Sequence, residues 1–351
     1  MKKLLLLVSV LTITLVLSAC GSKEKLYVLN WGEYMDPEII EMFEDEYNVV
    51  VVYDEVGSNE EMEVKIKAGT TAYDVAFPSD YMIDKLRQQN LLNEIDYDLL
   101  GGFDDVTMKP EVEALYAGKG YEPYFIPYFW GTMGIMYNTD TVTEADLTGW
   151  DIMFEPNGFQ VGMYDSARDA SAAAFMYLGY DVNTNVASEI DDAEAAMIAA
   201  NFSLFGEDSL KRKVIEGNLD LALVYSGDYL DEYYAADEEG TEINFGYFVP
   251  EITNIWIDAF VIPTISENVD LAHEFINFFL GFDVATANAE WVGYCPVIQE
   301  VFDLLATDDY GYNIENYYPY TEGSSRALYH FVSDERFNRL NELLNAAKTA
   351  N

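Results

Sequence analysis

The sequence predicts an α/β fold of two lobes with a cleft between them. Three observations predict it. Strand-like apolar runs alternate with helical periods from the first folded residues onward, the pattern of a parallel sheet covered by helices. The chain has 351 residues, enough for more than one compact unit. Two extended stretches, one over 121–137 and one beginning near Asn254, fall where the chain would cross between lobes and return. The boundaries that follow are 26–132 plus 256–305 for one lobe and 133–255 plus 306–351 for the other.

The first lobe opens β-α-β. Residues 26–29 are a short apolar strand ending at Asn30-Trp31-Gly32-Glu33-Tyr34. Asp36 and Pro37 read as N-cap and first helical residue, and Ile39, Ile40, Phe43 and Tyr47 keep one apolar face. Residues 49–53 make the next strand and 60–67 a helix. A third strand, 73–77, runs into Pro78-Ser79-Asp80-Tyr81 and a helix toward Gln89. In the 121–137 stretch, Gly131 and Gly134 sit between apolar strand-like pieces.

The second lobe repeats the alternation. A strand over 161–164 ends at Asp165-Ser166-Ala167-Arg168-Asp169, and an Ala-rich helix runs on to Leu178. A strand over 220–225 ends at Ser226-Gly227-Asp228, again before a helix. Residues 270–280 are amphipathic, with Ala272, Phe275, Ile276 and Phe279 on one stripe, and Gly281 is placed to close that helix. The last helix spans 333–348, with Phe337, Leu340, Leu343 and Leu344 inward.

Asn254-Ile255-Trp256-Ile257-Asp258-Ala259-Phe260 is β-branched and aromatic without a helical period. Side chains alternate faces along a strand, so Trp256 and Asp258 share one face, opposite Ile255, Ile257 and Ala259. Taken alone this is a core Trp and a solvated Asp. It is also an indole plane beside a carboxylate, a pairing suited to an organic cation.

The charge balance narrows the function classes. There are 63 acidic residues against 18 basic, a formal −45. Such a field repels nucleic acid and anionic membrane surfaces and draws cations. Runs such as 41–46 and 237–239 read as solvated faces.

The N-terminus is a targeting segment. Lys2 and Lys3 precede an apolar run over 4–17, too short for a comfortable membrane span. Leu17-Ser18-Ala19-Cys20-Gly21 resembles the lipobox of bacterial lipoproteins. That resemblance implies a leader over 1–19, cleavage before Cys20, a lipid on its sulfur and a short tether over 20–25, which anchors the chain without crossing the membrane. The alternative is a plain secretory signal with an incidental Cys. With Cys20 lipidated, Cys295 has no partner for an intramolecular disulfide, and two Cys with His273 and His330 make no metal-ligand pattern. No cofactor is expected.

The chemistry gathers at strand ends. In open α/β sheets, ligands sit beyond the carboxyl ends of the strands. Two facing lobes would bring Trp31, Tyr34, Tyr81, Tyr225, Trp256 and Tyr294 to one cleft with Glu33, Asp169 and Asp258, and no lysine among them. Rings suit methylenes and carboxylates suit ammonium groups, so a linear polyamine fits. Each residue also has a plainer reading: Asp165 and Asp169 straddle Arg168 and could pair with it, Ser79 could cap the next helix, Glu33 could be solvated, and Asp80 reads as a surface or capping acid.

At these residues the chain resembles the substrate-binding proteins of bacterial polyamine ABC transporters, of the spermidine/putrescine type. The resemblance rests on Asn30-Trp31-Gly32-Glu33-Tyr34, Ser58-Asn59-Glu60, Tyr73-Asp74 with Pro78-Ser79, and Ile126-Pro127-Tyr128 with Trp130-Gly131. It continues through Asp165 with Ala167-Arg168, Trp256 with Asp258 and Ile262-Pro263, and Gly293-Tyr294. It implies a periplasmic-binding-protein-like (type II) fold closing like a hinged trap, a monomer, a polyamine ligand, and permease subunits as partners. It implies aromatic walls at Trp31, Tyr34, Tyr81, Trp256 and Tyr294, with Tyr225 where spermidine binders carry Trp. The central carboxylate falls on Asp258, and Glu33 and Ser79 match polar contacts at the ligand's ends. Of two carboxylates after the second-lobe strand, one is Ser166 here and the other Asp169, which opens the choice between spermidine and putrescine.

The leading expectation is therefore an extracytoplasmic, lipid-anchored polyamine receptor that catalyses nothing. The same fold could hold another cationic metabolite. A secreted glycoside hydrolase with paired carboxylates is the third reading, since aromatic walls also suit sugars. An anion site would want more than Arg168 at the cleft.

Overall fold

The computed structural model describes residues 23–103, 105–118, 120, 122–155, 158–307 and 325–350. The leader and Cys20 lie outside the described residues. The fold is α/β and two-lobed, built on a three-stranded and an eight-stranded sheet.

The first sheet has the order β2-β1-β3, all parallel: β1 is Lys25–Trp31, β2 Val50–Val56 and β3 Val75–Ala76. Helix α1 (Pro37–Tyr47) joins the first two strands, with Asp36 accepting the Glu38 N–H as its cap, and Ile39 and Phe43 buried. Helix α2 (Asn59–Ala68) is capped by Ser58, and α3 (Asp80–Gln88) follows β3. The third strand is shorter than its sequence suggests, although backbone bonds to β1 flank it on both sides: the Asp74 N–H donates to the Tyr27 carbonyl and the Phe77 N–H to the Leu29 carbonyl. The Asp74 carboxylate also accepts the N–H groups of Tyr27, Glu267 and Asn268 and the Ser266 hydroxyl, which ties the strand's start to residues 266–268.

The larger sheet is organised by β4 (Ile126–Asn138) and β9 (Ile252–Phe260). The first half of β4 pairs antiparallel with β9 and with β10 (Cys295–Pro296). Its second half pairs with β7 (Leu221–Tyr225) and β8 (Phe245–Phe248). Beyond β7 lie β5 (Val161–Tyr164) and β6 (Leu204–Gly206), and β11 (Ser325–Leu328) pairs with β9.

β4 is one continuous strand rather than pieces broken at glycine. Rings from neighbouring strands lie on both glycines: a Cβ at Gly131 would stand 2.6 Å from the Trp256 ring, and one at Gly134 2.6 Å from the Tyr247 ring. They mark close approach, a common use of Gly inside a strand.

Helix α4 (Ala167–Leu178) follows β5, and α5 (Ser226–Glu239) follows β7. Helix α6 (Val269–Phe279) buries Ala272, Phe275, Ile276 and Phe279. Gly281 does not close it in a left-handed turn. It is extended, with φ −60°, and serves as the N-cap position of the next helix, α7 (Phe282–Val292). The final helix, α8 (Asp334–Ala350), buries Leu340, Leu343 and Leu344. Phe337 is only half-buried; the buried neighbour is Arg336, whose guanidinium donates to the carbonyls of Val182 and Thr184.

Candidate functional site

One cavity of about 1150 Å³ opens where the strands end. Trp31 reaches it from the last position of β1, Glu33 and Tyr34 from the turn that follows, and Ser79 and Tyr81 from the start of α3. Ser166 and Asp169 reach it from the start of α4, Tyr225 from the end of β7, Trp256 and Asp258 from β9, and Tyr294 from the turn after α7. All eleven residues selected from the sequence line this cavity.

The aromatic walls touch one another edge to face. Tyr34 and Tyr294 have ring centroids 5.3 Å apart, Tyr294 and Trp256 5.5 Å, and Trp256 and Tyr225 5.9 Å. Backbone shape permits this. Tyr294 lies on Gly227, where a Cβ would sit 2.4 Å from its ring, as Trp256 lies on Gly131. Tyr34 is held through its carbonyl, which accepts the Tyr128 hydroxyl at 2.8 Å, and Asn288 donates to that hydroxyl at 2.7 Å. Burial pushes the phenols of Tyr34, Tyr81, Tyr225 and Tyr294 well above their ordinary range, so they remain neutral rings.

Asp258 stands among these rings, 7% exposed, on the same face as Trp256. Among the described residues its Oδ1 has no hydrogen-bond partner, nor has the Trp256 indole N–H. Burial raises its pKa to about 6; the neighbouring hydroxyls of Ser79 and Tyr34 and the charge of Arg168 lower it by less. Ser79 does not cap α3 with its side chain. Its hydroxyl instead accepts from Asn59 Nδ2 at 3.0 Å, and its N–H donates to Asn59 Oδ1 at 3.0 Å. Tyr81 donates its hydroxyl to Glu60 at 2.8 Å. Glu33 is exposed at the mouth, in a left-handed backbone conformation with φ 50°.

The opposite wall is different. Ser166 caps α4, accepting the Asp169 N–H at 3.4 Å. Asp169 is 1% exposed and binds Arg168 through both oxygens, at 2.9 and 3.1 Å, while Tyr225 donates to it at 2.8 Å. The Arg168 guanidinium lies over the rings of Tyr81 and Tyr329, 4.7 and 4.8 Å from their centroids.

A model of the bacterial extracellular solute-binding proteins matches residues 38–313. The chain belongs to that family. It is 32% identical over 282 residues to the spermidine/putrescine-binding periplasmic protein of Salmonella typhimurium, covering 78% of each chain. Among solved structures it is similar to the spermidine/putrescine ABC transporter substrate-binding protein PotD of Streptococcus pneumoniae, at 31% identity with a TM-score of 0.77, covering 93% of this chain and 99% of that one. The Tp0655 lipoprotein of Treponema pallidum superposes at 27% identity, with a TM-score of 0.77 and coverage of 92% and 99%.

Three expectations about the site of this solute-binding protein are corrected by its geometry. The cavity does hold lysines: Lys211 and Lys348 line it with Arg168. Lys211 pairs with Asp228 at 3.3 Å and Lys348 with Asp165 at 2.6 Å. Asp165 therefore does not pair with Arg168; Asp169 does. Asp80 is not a surface acid. It is buried, accepts the N–H groups of Tyr81 and Ile257, and burial lifts it to about 7.

Arg168, Lys211, Asn59 and Asp228 belong to the site and were not selected from the sequence as site residues. Arg168 and Asp228 carried a local signal, since each lies in the segment just after a strand end, Asp165 to Asp169 and Ser226-Gly227-Asp228. Burial raises its carboxyl to about 6, against the pull of Lys211. Among the described residues no group of His, Cys, Asp and Glu is arranged to hold a metal ion, and no helix is long and apolar enough to cross a membrane.

Proposed function

We propose that this solute-binding protein captures a protonated polyamine, putrescine or spermidine, outside the cytoplasm and hands it to a membrane permease without chemistry. Asp258 takes an ammonium group, and Trp31, Tyr34, Tyr81, Tyr225, Trp256 and Tyr294 stack on the methylenes. Glu33, Ser79, Ser166 and Asp169 shape the ends of the ligand's path, and a lipid on Cys20 holds the monomer at the membrane.

The observation that carries this reading is Asp258. A carboxylate buried among rings, with an oxygen that no described residue bonds, is costly unless a cation arrives. Rings whose faces attract cations surround it, each contact contributing about 0.5–2 kcal/mol. Micromolar affinity needs only about −8 kcal/mol. The relatives named for spermidine and putrescine support the ligand class. Calorimetry against putrescine, spermidine, cadaverine and an oligosaccharide series tests it. Heat with the amines alone supports the proposal; heat only with sugars, or sugar cleavage, overturns it.

A further inference from the structure

We infer that Arg168 sets how many ammonium groups the site accepts. By occupying Asp169 it supplies one cation from the protein itself, so the cavity takes a linear diammonium ligand in preference to a triammonium one. This deepens the polyamine reading and rests on it.

Asp169 has little left to offer a ligand. Its two oxygens each receive an Arg168 N–H, and the Tyr225 hydroxyl adds a third bond. Bidentate pairing of this kind is among the stronger side-chain contacts. The guanidinium is not free to swing away, because Tyr81 covers one side and Tyr329 approaches at a similar distance. It also donates to the Tyr225 hydroxyl at 3.2 Å. Position 166, one helical turn earlier, carries an uncharged hydroxyl already used as a cap. Two other acids of this wall, Asp165 and Asp228, are ion-paired to Lys348 and Lys211.

Asp258 is thus the buried carboxylate of the cavity with an unbonded oxygen among the described residues. The remaining acids of the lining stand outside it: Glu60 accepts the Tyr81 hydroxyl, and Glu33, Glu55, Glu207, Asp208 and Asp231 are exposed. A diammonium ligand places one end on Asp258 and the other among these exposed acids. A third ammonium group driven toward α4 would meet the guanidinium instead, losing its water against a like charge.

The test is calorimetry of the wild-type protein and Arg168→Gln with putrescine and spermidine, with melting curves to verify folding. The wild type is expected to prefer putrescine by about tenfold or more, and Arg168→Gln to shrink that ratio by about tenfold through a gain for spermidine. A wild-type preference for spermidine overturns the inference, as does a variant that loses both ligands equally or keeps the ratio. A crystal structure of wild-type protein with putrescine tests it without a variant. The Arg168–Asp169 pair is expected intact, and a ligand nitrogen within about 3.2 Å of Asp169 overturns the idea. Wild-type protein binding neither amine ends the polyamine reading and this inference together; binding with an unshifted ratio ends this inference alone.

Discussion

Asp258 sets two opposing demands on one side chain. Its pKa of about 6 in the folded protein, against an ordinary 3.8, means that the empty site favours the protonated form. The stability this group contributes is therefore present below about pH 4 and lost as pH rises through about 6, by up to about 3 kcal/mol at pH 8. Asp258→Asn removes that loss. The ligand-free variant is expected to gain on the wild type in denaturant melts as pH rises from 4 to 8; a constant difference would contradict the burial argument. The same substitution removes the charge proposed to face the ammonium. Putrescine affinity is expected to fall by about 2–5 kcal/mol, or about 30-fold and more, and unchanged affinity would move the site elsewhere.

The pH dependence of wild-type binding follows with the opposite sign. An ammonium group needs the carboxylate ionised, so affinity is expected to hold above about pH 6 and weaken below it. Binding at pH 5.5 is expected to release protons, which calorimetry in buffers of different ionisation enthalpy measures. At this residue scale the sequence was informative about which side chains meet and silent about how they are paired. Trp256 and Asp258 share a face because strands alternate. Asp165 finds Lys348 across 183 positions, and no local pattern encodes that.

At the scale of elements, the strand-end rule carried most of the site. Trp31, Tyr81, Asp169 and Tyr225 each stand at or just beyond a strand end or at the start of the helix that follows, so the alternation that reveals the fold also locates the cavity. Glycine was harder to read. The sequence pattern puts Gly131 and Gly134 between strand pieces and Gly281 at a helix stop; in the structure the first two admit rings and the third joins two helices. Gly227 sharpens the point. Alanine in a helix is better than glycine by about 1 kcal/mol, yet overpacking costs about 1–3 kcal/mol. With a Cβ 2.4 Å from the Tyr294 ring, the clash dominates. Gly227→Ala is expected to weaken putrescine binding about tenfold by displacing that ring, and Gly101→Ala, whose Cβ meets nothing within 4 Å, to leave it unchanged. Equal effects of the two would remove the packing account of Tyr294.

At the scale of the whole molecule, the −45 formal charge acts on approach rather than on the bound state. A field of one sign concentrates counter-ions near the protein and speeds their arrival, and salt screens it over a Debye length of about 10 Å at 0.1 M. On the proposed reading the ligand is held inside the cavity by rings and by a carboxylate away from bulk salt, where screening is weaker. Association and dissociation should therefore respond differently. Raising ionic strength from about 0.02 to 0.5 M is expected to slow putrescine association about tenfold or more and change dissociation by less than about threefold. Stopped-flow titration of the change in intrinsic Trp fluorescence follows both rates, since Trp31 and Trp256 line the cavity. If salt acted mainly on dissociation, the ammonium group would be held at an exposed acid such as Glu33. Asp258 would then lose its place as the buried anchor.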